Sequence, residues 1–233
     1  RKRGIQVLPP SVNASGNGFS IEEGRIRFGL NAIKGVGSAA VDAIVAARTD
    51  GGPFADLVDF CCRVESAACN RLAMEALLKA GAMDSLPANR KQKLAILDQA
   101  IELGQSAARD RAAGQISLFG DIAASSPIMA PHYPGLPEYE PAQLLDMERE
   151  ALGLYISDHP INACLETLNT HRTATVEELS EARPGDEVVV GGMLVGVKPY
   201  TSKNGKLMCF LTLDDLSGTL EITKNKTATH DSG

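Results

Sequence analysis

Residues 31–48 read NAIKGVGSAAVDAIVAAR, and this stretch decides how the rest of the chain is read. An apolar lead enters the glycine-bracketed turn Lys34-Gly35-Val36-Gly37, and Ser38 opens an alanine-rich helix with Val41, Ile44 and Val45 on one face. Glycines permit a tight turn, and the first turn of a helix leaves backbone N–H groups without intrahelical partners, pointing outward at an approaching anion. Lys34, Gly35, Val36, Gly37 and Ser38 are therefore the candidate residues of a phosphate grip.

Two ligands compete for that grip. Gly35-Val36-Gly37-Ser38-Ala39-Ala40 fits G-x-G-x-x-A, the dinucleotide fingerprint, which makes a dinucleotide-binding enzyme one alternative; the fingerprint needs a buried strand in front and a parallel sheet after it. Residues 30–33 instead suit a short helix, and Gly51, Gly52 and Pro53 lead into more helical patterning. A helix, an apolar-Lys-Gly-Val-Gly turn and a second helix make a helix-hairpin-helix, which holds nucleic-acid phosphate without reading sequence. The plain alternative is an αα-turn with a glycine cap.

The chain has 233 residues, of which 44% are hydrophobic, enough to bury a core. Its net charge of −6 argues against a general nucleic-acid binder until the distribution is seen. Residues 1–100 carry 13 Lys+Arg against 10 Asp+Glu, whereas residues 101–233 carry 10 against 19, so the glycine turn lies in the basic half. Cys61, Cys62, Cys69, Cys164 and Cys209 show no C-x-x-C spacing and read as reduced and structural. No apolar run has the length of a membrane span and no signal core follows Arg1-Lys2-Arg3, which predicts a soluble, cytoplasmic protein without a membrane partner. The start without Met suggests a piece of something longer.

Before the turn, residues 19–21 and 25–28 around Glu23-Gly24 predict a small hairpin. After it, Phe54, Leu57, Val58 and Phe60 recur at helical spacing. A helix at 71–80, the Gly81-Ala82 turn and a third helix at 89–103 repeat the helix–turn–helix plan, making Gly81, Ala82, Asn89 and Arg90 a weaker second hairpin. Residues 105–141 read as a linker rich in Ala, Gly, Ser and Pro. Within it Gln115-Ile116-Ser117-Leu118-Phe119 places an apolar pair where no local core exists, the pattern of a docking peptide. Residues 142–184 return to helix, and His159, a turn residue before proline without a second ligand at useful spacing, reads as structural.

From Asp186 the period becomes two. Strands at 187–198, 206–213 and from 220, with turns at Asn204-Gly205 and 215–218, suit an incomplete OB-type β-barrel. Lys198, Tyr200, Lys203 and Lys206 on one rim, with Phe210 on the second strand, are its candidate contacts for a single strand. Asp214-Asp215 is not a metal pair, because adjacent strand residues point to opposite faces and a turn follows. The expected fold is mainly α: a tandem helix-hairpin-helix domain, a linker and a partial OB domain.

Taken together, RGIQVLPPSVN, IRFGLNAIKGVG, GGPFADLVDFCCRV, the KAGAMDSL turn, GQISLFG, EREALGLYISDHP and KLMCFLTLDDLSGTLE resemble the C-terminal half of the bacterial replicative DNA polymerase III alpha family, over roughly residues 1–222. The resemblance implies that residues 1–29 end a fingers region, residues 30–104 hold duplex DNA, residues 105–141 carry the sliding-clamp motif at 115–119, residues 142–184 connect, and residues 185–233 begin an OB domain facing single-stranded template. It implies further replicase subunits as partners and a nucleoid-associated location. The DNA-directed DNA polymerase chemistry of that family, with its magnesium-binding aspartates, would lie upstream, so no cofactor, metal or catalytic residue is expected in this chain. The tail KNKTATHDSG, residues 224–233, departs from the family. A rival of another class is a helical adaptor that docks the clamp and never touches DNA.

Overall fold

The computed structural model describes residues 6–112, 132–201 and 207–225. Its elements form two compact units, Arg1–Asp158 and His159–Gly233, a division that falls inside the stretch read from sequence as one connector.

The first unit starts with a three-stranded sheet in the order β1 (Val7–Leu8), β3 (Arg25–Arg27), β2 (Ser20–Glu22). The expected hairpin is there: β2 and β3 pair antiparallel through Ile21 and Ile26, and Glu23 and Gly24 both have positive φ (52° and 78°), as a two-residue hairpin turn requires. The residues before the glycine turn form a single 3-10 turn, Leu30–Ala32, rather than an α-helix.

Five helices follow: α1 (Ser38–Gly51), α2 (Leu57–Arg63), α3 (Arg71–Lys79), α4 (Arg90–Ala95) and α5 (Leu97–Ala112). Their apolar faces converge on one core that includes Val41, Ile44, Leu57, Phe60, Met74, Leu77 and Leu97. Phe54 and Phe60 meet edge to face at 4.9 Å. Arg63 lies over the Phe54 ring and donates to the carbonyls of Ala47 and Gly52, closing the C-terminal end of α1. Cys61 and Cys69 are buried in this core, and burial pushes both thiols up to about 12. They are inert packing residues.

Sequence patterning gave one helix over 89–103 where the structure has two. The chain leaves helical geometry at Ile96 (φ −103°, ψ 4°) without a Gly or Pro to announce it, and both Ile96 and Leu97 enter the core. The second helix, α5, continues to Ala112, into the span expected to be linker. Residues 132–140 then return as an extended strap clipped to α4. Asn89 Nδ2 and Gln92 Nε2 donate to the carbonyls of Leu136 and Pro134 at 2.9 and 2.8 Å. The Glu138 carboxylate accepts from the N–H groups of Arg90 and Lys91 at 2.9 and 3.2 Å. Burial opposes charge on Glu138, but the bonds from the Arg90, Tyr139 and Lys91 backbones prevail and hold its pKa below the ordinary value. The helix α6 (Pro141–Leu152) closes the unit, with Leu145, Ala151 and Leu152 buried.

In the second unit a 3-10 turn (Pro160–Cys164), α7 (Leu165–His171) and another 3-10 turn (Glu178–Glu181) precede an antiparallel sheet, β4 (Met193–Thr201), β5 (Leu207–Asp214) and β6 (Thr219–Asn225). The first long strand begins at Met193, not at Glu187, and its register shifts between Leu194 and Gly196. Three strands in a row leave β4 and β6 as edges, and among the described residues no barrel closes. Asp215 sits in the β5–β6 turn, where its carboxylate accepts from Ser217 and Gly218 N–H at 2.8 and 2.9 Å. These bonds shape the turn. Among the described residues no helix is long and apolar enough to cross a membrane.

One buried charge gives a stability test. Lys93 is 1% exposed, its Nζ donates to the Met83 carbonyl at 2.7 Å, and burial lowers its pKa. The fold therefore disfavours the ammonium, so the unfolded chain binds more protons in the window below 10.5 and stability rises with pH there. Replacing Lys93 by Met keeps the volume and removes the buried charge; its stability in urea unfolding at pH 7 should match the wild type or exceed it by about 1 kcal/mol, with the advantage shrinking as pH rises toward that value.

Candidate nucleic-acid interface

The glycine turn is fixed from behind by two apolar side chains. Ile33 and Val36 are both buried, and the Val36 N–H donates to the Ile33 carbonyl at 3.1 Å. The chain reverses between them at Gly35, whose φ of +86° is a left-handed conformation that a Cβ would strain. Val36 is thus an anchor of the turn, and its N–H is already bonded.

What the turn leaves outside is Lys34, Gly35, Gly37, Ser38 and Ala39, all exposed. The N–H groups of Gly35, Gly37, Ser38 and Ala39 make no hydrogen bond within the described residues. Gly37 is the N-cap of α1, in extended geometry (φ −81°, ψ 161°), and supplies no capping side chain. No acidic residue occupies the first turn of the helix. A helix of 14 residues thus presents its positive end to solvent through glycine, with the Lys34 side chain alongside. The Lys34 backbone N–H faces the other way and donates to Ala151 of α6 at 2.9 Å.

The second hairpin is built differently. At its turn, the Gly81 and Ala82 N–H groups bond the carbonyls of Leu78 and Leu77, and Ala82 is fully buried. The guanidinium of Arg90 is 9% exposed as a residue and grips the Asp84 carboxylate at 2.7–3.1 Å, with a further bond to the Lys79 carbonyl. Asn89 caps α4 through the Gln92 N–H at 2.8 Å, and Glu138 already occupies the N–H groups of Arg90 and Lys91. All four residues named from sequence at this turn are engaged inside the fold. The sequence repeat is present as a helix–turn–helix plan, but the polar groups at its second turn are bonded within the fold.

In the second unit the register brings Lys198 opposite Phe210 and Tyr200 opposite Met208, so Lys198, Tyr200 and Phe210 share one face. The Tyr200 and Phe210 rings lie 5.9 Å apart. Lys203 and Lys206 lie outside the described residues, as does the whole of 115–119. Sequence reasoning missed the part played by Ala39, whose free N–H follows from helix geometry alone, and by Ala151, whose distance along the chain gave no signal.

A dinucleotide site fares poorly. The turn is preceded by a 3-10 turn and followed by the helices α1 and α2, without the buried strand or parallel sheet that would place a pyrophosphate. Among the described residues no cluster of His, Cys, Asp or Glu is arranged to hold a metal ion.

Comparison with known proteins agrees with this geometry. Residues 4–93 match a sequence family described as a helix-hairpin-helix motif. Among curated proteins, the chain is 37% identical over 223 residues to the DNA polymerase III subunit alpha of Haemophilus influenzae. It is 39% identical over 218 residues to that of Bacillus subtilis and 32% identical over 223 residues to that of Escherichia coli K12. These alignments cover 94–95% of this chain but 19% of each relative. The chain is homologous to them over that length, which is about a fifth of theirs.

The two glycines of the turn should respond differently to alanine. Gly35→Ala puts a side chain at positive φ and should cost about 1–2 kcal/mol in chemical unfolding, whereas Gly37→Ala, in extended geometry with open space around it, should cost well under 1 kcal/mol.

Proposed function

We propose that this chain is a duplex-holding and clamp-tethering part of a replicative DNA polymerase. In this reading the free N–H groups of Gly35, Gly37, Ser38 and Ala39, with the Lys34 ammonium, hold backbone phosphates of duplex DNA without reading its sequence. The observation that carries the proposal is the uncapped, exposed N-terminus of α1 behind a glycine turn. A protein selected for stability alone would place Ser, Asp or Asn at that cap, and α2, α3 and α4 are capped by Asp56, Asn70 and Asn89. The helix-hairpin-helix match and the homology to DNA polymerase III alpha subunits support the same reading.

Two finer roles accompany it. The peptide Gln115-Ile116-Ser117-Leu118-Phe119 is proposed to dock into an apolar pocket of the sliding clamp, with Leu118 and Phe119 as anchors. The face carrying Lys198, Tyr200 and Phe210 is proposed to belong to an OB-type domain that meets single-stranded template, because an aromatic pair beside a cation suits base stacking and phosphate together. Catalysis of nucleotidyl transfer is assigned to parts of the relatives that this chain does not cover.

Phosphate contacts release counterions, so duplex affinity should fall with salt at a log–log slope of about −0.9 for each phosphate neutralised. Lys34→Glu should weaken binding about equally on duplexes of unrelated sequence and flatten the slope in a fluorescence-anisotropy titration; a duplex affinity indifferent to salt and to this substitution would refute the grip.

Replacement of Leu118 and Phe119 by Ala should remove anchors worth on the order of 2 kcal/mol each and abolish measurable clamp binding in surface plasmon resonance. If clamp affinity is unchanged, the contact lies elsewhere; if clamp binding fails while duplex binding persists, the docking-only adaptor is excluded.

A further inference from the structure

We infer that Arg149 is a second phosphate-binding cation beside Lys34, so that the duplex-holding surface is made jointly by the glycine turn and the last turn of α6. The inference rests on the function proposed above and adds a residue that the helix-hairpin-helix itself does not contain.

The two elements are joined directly. The Lys34 N–H donates to the Ala151 carbonyl at 2.9 Å, which attaches the glycine turn to the C-terminal end of α6. A Cβ on Gly153, the left-handed residue that ends this helix, would lie 3.8 Å from Lys34 Nζ, so the ammonium rests against the turn that leaves α6. A second bridge, Lys79 Nζ to the Glu150 carboxylate at 3.8 Å, holds α6 against α3.

Arg149 belongs to that same turn of α6. The Gly153 N–H bonds the Arg149 carbonyl at 2.8 Å, so the two residues stand one helical turn apart on one side of the helix. An arginine on a helix ordinarily leans toward the N-terminus. This one is drawn the opposite way: its guanidinium carbon lies 5.7 Å from the centre of the Tyr155 ring, and Nη1 donates to the Tyr155 hydroxyl at 3.5 Å. Its head therefore reaches the 153–155 turn at Tyr155, and the head of Lys34 reaches the same turn at Gly153.

The support beneath Arg149 is rigid. Glu148 is buried, and its carboxylate accepts from the N–H groups of Ile156 and Ser157 and from the Ser157 hydroxyl, which fixes the turn that carries Tyr155. Glu148 is thereby occupied, Glu150 faces Lys79, and among the described residues Arg149 pairs with no carboxylate. An exposed guanidinium held against a ring, unpaired with any acid among the described residues, on a turn whose glycine also lies against the Lys34 ammonium, is suited to backbone phosphate.

The test uses the full 233-residue chain and two 20-base-pair DNA duplexes of unrelated sequence, titrated over a range of salt by fluorescence anisotropy. Arg149→Gln should weaken binding several-fold on both duplexes and reduce the magnitude of the salt slope by about 1. Arg149→Lys should keep the slope, and Arg109→Gln, the same charge change at an exposed position on α5, should leave both affinity and slope near wild type. Unfolding midpoints of the three variants check that the fold is retained. If Lys34→Glu loses binding but Arg149→Gln keeps the wild-type slope, or if Arg109→Gln lowers the slope as much, the inference fails while the function stands. If the wild type shows no salt-dependent duplex binding, both fail.

Discussion

The structure turns on the burial of Ile33 and Val36 on either side of Gly35. Both apolar side chains enter the core, and between them the backbone reverses at Gly35 in a left-handed conformation, closed by the bond from the Val36 N–H to the Ile33 carbonyl. That reversal delivers the chain into α1 through Gly37, whose position caps the helix without a side chain. The Ser38 and Ala39 amides that open α1 then have no partner among the described residues, and their orientation is set by packing beneath them rather than by any contact above. The proposed phosphate grip is therefore inexpensive in sequence: it rests on backbone amides, two glycines and one lysine.

The contrast with the second turn explains why a sequence repeat need not be a functional repeat. Both turns join two helices through glycine. At the first, polar groups point outward and the apolar ones inward. At the second, Arg90 folds back onto Asp84, and Glu138 arrives from the strap to take the place at the start of α4 that an external anion would need. The same helix–turn–helix geometry thus leaves its polar groups open once and fastens them internally once, and what differs is which polar partners the chain itself supplies.

Much of the helical unit was legible because its signals are local. Glu23-Gly24 marks its hairpin by backbone preference, and the periodicity of Val41 and Ile44 marks α1. The break at Ile96 was not legible, since nothing in the residues around it opposes helix; it arises from how Ile96 and Leu97 are accommodated in the core. Arg90 reads from sequence as a weaker phosphate contact because it follows a second helix–turn–helix plan, and its engagement with Asp84 could be seen only in the structure. The bond from Lys34 to Ala151 crosses more than a hundred positions and left no local trace, so the contribution of α6 to the candidate surface had to come from the structure. In the second unit the hairpin order was readable, but the strand start at Met193 reflects pairing with β5 that alternation alone does not specify.

The central claim is that duplex DNA is held by backbone amides at the start of α1. It is tested most directly by amide chemical shifts of the isotopically labelled chain on titration with duplex DNA. The account predicts that the resonances of Gly35, Gly37, Ser38 and Ala39 move together along one binding curve, while those of Gly81, Ala82 and Arg90, bonded internally, stay in place. Movement centred on Gly81 to Arg90 with the α1 amides unchanged would contradict it.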